Sequence, residues 1–139
     1  RVREKILEKE SKRFRKLEVN VIVGKAGSGK TREVYDKYGY DDVYTLNEQG
    51  GSVLWFDGYV GQPILLIDEF YGGIKYSLLL RILDGHPVHL QIKGGWTWAN
   101  WEVVYITSNE PPNAWYTKGL TDALKRRITS VKKIGDLDF

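Results

Sequence analysis

Residues 24 to 31 read Gly-Lys-Ala-Gly-Ser-Gly-Lys-Thr and follow directly on the apolar run Val19 to Val23. A G-x-x-x-x-G-K-[ST] stretch in that position demands a strand, a tight loop and a helix in immediate succession. The glycines let the backbone curl so that consecutive N–H groups face an anion. Lys30 adds a mobile cation for β- and γ-phosphates, Thr31 a hydroxyl for Mg²⁺, and the helix behind them aims its positive end at the same point. Gly24, Lys25, Ala26, Gly27, Ser28, Gly29, Lys30 and Thr31 are therefore the candidate nucleoside triphosphate loop, with ATP and Mg²⁺ as the expected cofactors.

At 139 residues the chain is the size of one domain with a real core. Its share of charged residues, 28%, fits a globular protein. No apolar run approaches the length of a membrane span, which is roughly 20 residues. No secretory signal opens it, and it begins at Arg1, as a piece of a longer protein would. Cysteine is absent, which excludes a disulfide scaffold and a cysteine metal site. The net charge of +3 is unevenly spread: residues 1 to 18 hold eight Lys or Arg against four Glu, and a second basic run, Lys125-Arg126-Arg127 with Lys132-Lys133, lies near the end. Such runs suit a polyanionic partner; the first, taken alone, is equally a solvated helix face.

The pattern predicts a helix over 1–17 with Val2, Ile6, Leu7, Phe14 and Leu17 on one arc, a basic segment that could dock on the core or pair with a neighbouring subunit. The domain proper then runs from 19 to 139. Strands are predicted at 19–23, 43–46, 64–67, 103–107 and 128–134, and helices at 30–38, 76–83 and 121–127, the last with Thr121 as cap. Val53 to Tyr59, with Trp55, Phe56 and Tyr59, reads as a packed irregular segment. Val88–Ile92 and Trp98–Trp101 flank Lys93-Gly94-Gly95-Trp96 as a hairpin. Alternating apolar strands and helices give an α/β fold with a parallel sheet covered on both faces, and ligands gather beyond the strands' C-terminal ends.

Two further motifs end strands on that rim, and two more lie elsewhere in the chain. Asp68-Glu69 ends an apolar strand; Asp68 can hold Mg²⁺, and Glu69 can orient or deprotonate water. Asn109 ends another strand and can bond a γ-phosphate or the attacking water. Arg126 and Arg127 end a helix, where a cation is favoured for its own sake and where it can also reach a neighbour's site. Lys93, Gly94, Gly95 and Trp96 suit contact with a nucleic-acid backbone, and Trp96, Trp98 or Trp101 could stack on bases or pack the hairpin. His86 and His89 lack partners at metal-binding spacing and read as structural.

In this order and spacing the pieces resemble superfamily 3 helicases, and more narrowly the helicase domain of the replication initiators of circoviruses and related small circular single-stranded DNA viruses. The carrying residues are Val23 to Thr31, Trp55-Phe56-Asp57-Gly58-Tyr59, Ile67-Asp68-Glu69-Phe70-Tyr71-Gly72, Leu79-Leu80-Arg81-Ile82, Lys93-Gly94-Gly95, Ile106-Thr107-Ser108-Asn109, Trp115-Tyr116 and Arg126-Arg127-Ile128-Thr129-Ser130. The resemblance covers roughly residues 19 to 134. It implies a compact ATPase sheet of order 5-1-4-3-2, a hexameric ring around single-stranded DNA, and ATP bound between subunits. It further implies a DNA-facing hairpin around Lys93, and an arginine finger at Arg127 with Arg126 second. The basic N-terminal helix would help subunits assemble. An ATP-dependent DNA helicase of viral rolling-circle replication, working in the host nucleus without a membrane, is the implied function. The family's nicking endonuclease would lie outside this chain, since nothing before residue 19 could form it.

Two other readings use the same residues: an ATPase that oligomerises without unwinding, and a nucleic-acid assembly module in which ATP only orders a ring. A small-molecule kinase accounts for neither Asn109 nor the hairpin.

Overall fold

The computed structural model describes residues 12–25, 27–47, 49–51 and 53–134. Five strands form one parallel sheet: β1 (Glu18–Val23), β2 (Val43–Leu46), β3 (Ile64–Ile67), β6 (Val103–Ser108) and β7 (Ser130–Lys133), in the order β2-β3-β6-β1-β7. Counted among themselves in chain order they run 5-1-4-3-2, as the resemblance implies. Between β3 and β6 lies a separate antiparallel hairpin of β4 (His89–Ile92) and β5 (Gly95–Trp98). The helices are α1 (Lys30–Tyr38), α2 (Tyr76–Ile82) and α3 (Asp122–Arg127). None of the described helices is long and apolar enough to cross a membrane.

The central strands β1, β3 and β6 are largely buried because they are mostly apolar at successive positions, as in the wholly buried Ile64-Leu65-Leu66-Ile67, while the edge strand β7 is exposed. Alternation assigns the faces. Val21, Leu65, Ile67, Val104 and Ile106 join α2, Phe56, Trp101 and Leu124 on one side. Ile22, Leu66 and Tyr105 meet Val34 of α1 on the other. Thr121 caps α3 as predicted, its hydroxyl accepting from Leu124 N at 3.2 Å.

Four expectations need correction. Residues 1–11 of the proposed N-terminal helix lie outside the described residues, but 12–17 are not helical. Arg15 instead turns inward to 1% exposure, where its guanidinium donates to the carbonyls of Trp101 (2.5 Å) and His86 (3.3 Å). Its backbone N–H bonds Gly85 O, and a Cβ at Gly85 would stand 2.0 Å from Arg15 O, so only glycine admits the segment. The hairpin turns at Lys93-Gly94 alone, with Gly94 at φ +83°, so Gly95 and Trp96 belong to β5 and Trp101 to the core. Trp55 is not packed but 48% exposed. The last strand is shorter than 128–134, because Ile128 and Thr129 close α3 and cross to β1, Thr129 N donating to Val19 O.

Arg15→Ala is expected to lower the unfolding free energy by about 2 kcal/mol, since it strips two carbonyls of a charged donor and removes packing on Trp101. Chemical denaturation followed by tryptophan fluorescence measures this; an unchanged midpoint would show the bonds to be idle.

Candidate functional site

The loop after β1, the carboxylates after β3 and the amide after β6 meet because β3, β6 and β1 are adjacent and parallel. Their C-terminal ends form one rim, and each motif begins within a residue or two of its strand's end. Lys30 sits at the centre, 2% exposed. Its Nζ donates to Gly24 O (2.8 Å), Lys25 O (3.0 Å) and Asn109 Oδ1 (3.2 Å), and lies 3.6 Å from Glu69 Oε1. Thr31 Oγ1 donates to Asp68 Oδ1 at 2.5 Å. Lys30, Thr31, Asp68, Glu69 and Asn109 are thus brought together as the sequence predicts.

The loop fits an anion. Gly29 precedes α1 at φ +88° and no described side chain caps the helix, which leaves its first-turn N–H groups for an anion. A Cβ at Gly27 or Gly29 would meet nothing within 4 Å, which leaves an open cradle above the backbone. Gly24 is different: a Cβ there would stand 2.6 Å from Ser28 Oγ, itself a buried hydroxyl without a partner among the described residues. Lys25 is exposed, and Ala26 lies outside the described residues.

Two residues that sequence reasoning passed over organise the carboxylates. Thr107 is buried on β6; its hydroxyl donates to Asp68 Oδ1 (2.9 Å) and accepts from Glu69 N (2.9 Å), fixing both residues at once. Tyr71 OH donates to Glu69 Oε2 (3.4 Å) and accepts from Asn109 Nδ2 (3.5 Å). Desolvation, then the Glu69 charge, pushes its phenol above the usual tyrosine range, so it stays a neutral donor. Both lie inside motifs already noticed, Ile-Thr-Ser-Asn and Phe-Tyr-Gly, but their roles depend on which strands are neighbours. The glycine of the second motif is a matter of space: a Cβ at Gly72, φ +86°, would stand 2.1 Å from Trp115 O. A cleft of about 420 Å³ lined by Gln49, Asp68, Glu69 and Tyr71 opens beside the carboxylates.

Glu69 is the only described non-glycine residue at positive φ, +49°. A glutamate held there is strained by about 1 kcal/mol. Glu69→Asn, tolerated in the left-handed region, is expected to raise Tm by roughly 3–5 °C while removing hydrolysis. Calorimetry beside a phosphate-release assay measures both, and a lowered Tm would refute the strain.

The remaining candidates lie elsewhere. Arg127 is held within its own chain, donating to Leu80 O (3.1 Å) and Ala123 O (2.8 Å), with Asp84 Oδ2 at 3.4 Å. Arg126 is exposed and, among the described residues, its side chain makes no hydrogen bond or ion pair. Both precede β7, whose Ser130 pairs with Asn20 while Lys133 pairs with Val23, so they stand at the sheet edge opposite the loop. At about 3.3 Å per residue that is a strand's length away, on the order of 13 Å. Lys93 is at the hairpin tip with its side chain 87% exposed. Its N–H donates to Asp57 Oδ1 (2.7 Å) and its ammonium lies 3.9 Å from Oδ2. An ion pair this open to solvent contributes little. Gly94 and Gly95 beside it are exposed, as is Trp96.

Residues 20–110 match the model of the RNA helicase family. The chain is 38% identical over 120 residues to the replication-associated protein of goose circovirus, covering 86% of this chain and 39% of that protein. It is 36% identical over 130 residues to that of porcine circovirus 2, covering 91% and 40%. The chain thus spans about two-fifths of the length of these relatives. A solved Saccharomyces cerevisiae Hsp104–ADP complex aligns with a TM-score of 0.58 at 17% identity over 88% of this chain and 24% of that one, a likeness of fold.

Proposed function

The chain belongs to the RNA helicase family, in the form carried by circovirus replication-associated proteins, and on that premise we propose that it is an ATP-driven motor on single-stranded DNA. The observation that carries the proposal is the convergence on Lys30: one buried ammonium touches the loop carbonyls, Asn109 and Glu69, while Thr31 holds Asp68 alongside. Few reactions other than phosphoryl transfer need a cation, a helix N-terminus, a hydroxyl–carboxylate pair and a second carboxylate at one point.

In this reading the loop N–H groups and Lys30 bind the β- and γ-phosphates. Thr31 and Asp68 are the residues that would hold Mg²⁺, which supplies charge neutralisation at the transferring phosphoryl group. Among the described residues no three His, Asp or Glu side chains could hold a metal unaided. That suits an ion that completes its shell with water and phosphate. Glu69 takes a proton from water as its oxygen bonds the γ-phosphorus; the bond to the bridging oxygen breaks, leaving ADP and phosphate. Asn109 turns from Lys30 to the γ-phosphate and so reports its presence. An arginine of the next subunit completes the site, which makes a ring, hexameric by resemblance, the working form. The full-length protein would serve rolling-circle replication in the host nucleus, its endonuclease outside this chain.

The test is phosphate release with and without a single-stranded oligonucleotide, alongside unwinding of a forked duplex. Stimulation by the strand and unwinding are expected, and Lys93→Ala should lose both, because the tip cation engages the strand's phosphates. Strand-independent hydrolysis with no unwinding would instead favour a switch or assembly ATPase.

A further inference from the structure

The hairpin carries a surface that its tip does not explain. Gln91 of β4 pairs with Trp96 across the hairpin and, on its other side, bridges in parallel to Trp55, with Phe56 N donating to Gln91 O at 2.8 Å. A single-residue bridge thereby extends the two-stranded hairpin at Trp55. Residues in register share a face. Trp55, Gln91 and Trp96 make one row of that face, and His89 with Trp98 make the next. The intervening Leu90 and Phe56, each 2% exposed, point into the core. Trp55 and Trp96 stay 48% and 44% exposed. His89 packs against both hairpin indoles, at centroid distances of 3.9 and 4.7 Å, so it belongs to this face and not to the core.

The composition of the face selects its occupant. It presents indoles, an imidazole and an amide but no aliphatic side chain. Cations bracket it: Lys12 Nζ lies 5.4 Å from the Trp98 ring and Lys93 stands at the turn. Flat π surfaces with a hydrogen-bonding amide between them and positive charge at the margins match unpaired bases joined by phosphates. Trp55 and Trp96 are two strands apart, about 9.6 Å, enough for a base on each.

We propose that the outer face of the hairpin, Trp55, Gln91, His89 and Trp96, is a base-stacking platform for single-stranded DNA, distinct from the phosphate contact at Lys93. The proposal rests on the reading of the chain as a motor on single strands and adds that it holds bases as well as backbone. Each stacked base is expected to contribute a factor of roughly 5 to 150 in affinity, and such stacking is indifferent to salt. A phosphate contact instead adds about 0.7 to the salt slope.

The test is the affinity of the whole chain for a fluorescent oligonucleotide and for an abasic strand of equal length, each across a salt series. The wild type should prefer the strand with bases. Trp55→Ala and Trp96→Ala should weaken that strand by the factor above, lose the preference and keep the salt slope. Trp55→Phe and Trp96→Phe, which keep a ring, should retain most of it. Lys93→Ala should keep the preference and lower the slope. Equal affinity of the wild type for both strands, or alanine variants that bind like wild type, would overturn the platform while leaving the motor reading in place. Alanine variants that change self-association in sedimentation but not strand affinity would reassign the face to contact between copies. Failure of the wild type to bind any strand would overturn both readings.

Discussion

Lys30→Ala is expected to abolish ATP turnover, with kcat falling by at least about 10²–10³, the loss typical when a single charge-stabilising donor is removed from a water-poor site. The ammonium is 2% exposed and meets three oxygens, two of them backbone carbonyls of its own loop, so it is positioned before any phosphate arrives. A preorganised cation reorganises little as charge builds on the phosphoryl oxygens, and that economy is what alanine deletes. The substitution also leaves Gly24 O, Lys25 O and Asn109 Oδ1 short of a donor and Glu69 without its nearest cation. Binding of a fluorescent ATP analogue should therefore weaken along with turnover. Lys30→Arg should not rescue, because a planar fork cannot reproduce three donors diverging from one nitrogen in a space this closed. Thermal melts beside the phosphate-release assay separate lost chemistry from lost fold. Hydrolysis retained in a folded Lys30→Ala chain would mean that the loop does not hold the triphosphate.

The rim itself was legible because its parts are local. Helix 30–38 and strands 43–46 and 64–67 agree to the residue, since each signal sits within its own element: a glycine loop, a β-branched run, four apolar residues in a row. The sheet order came from resemblance, as no single-strand pattern encodes which strands adjoin. What escaped was non-local. Thr107 and Tyr71 gain their roles only from contact across β3 and β6, and a buried threonine in a strand looks like any β-branched residue. Arg15 lies in a charged run with helical spacing, yet its binding to Trp101 O, 86 positions away, overrides the local pattern. The turn after β4 is shorter than the predicted 93–96 because either glycine of a Gly-Gly pair can close a hairpin, and only pairing shows which one remains in the strand.

Mixing two inactive variants is expected to restore activity, and the geometry of α3 decides which two. Arg127 was the first choice for a residue acting on a neighbour, but three intrachain acceptors hold it and its side chain is 17% exposed. Arg127→Ala should therefore loosen α3 from α2 and lower Tm before it does anything else. Arg126 is the exposed one, at the sheet edge opposite its own loop, where it cannot serve its own site. If the chain works as the proposed ring, an arginine so placed would serve the next subunit's triphosphate. Arg126→Ala is then expected to lower turnover by about 10³–10⁵, the range of an arginine supplied from a neighbouring subunit, with Tm and nucleotide binding held. Combined with Lys30→Ala subunits it should regain partial hydrolysis, because some interfaces pair an intact loop with an intact arginine. The recovery should vary with mixing ratio and vanish on dilution below assembly. If neither mixture recovers while both variants still co-assemble, the arginine does not work across subunits; if Arg127→Ala complements with its Tm unchanged, the finger is Arg127 after all, and its three carbonyl and carboxylate contacts are broken in the ring.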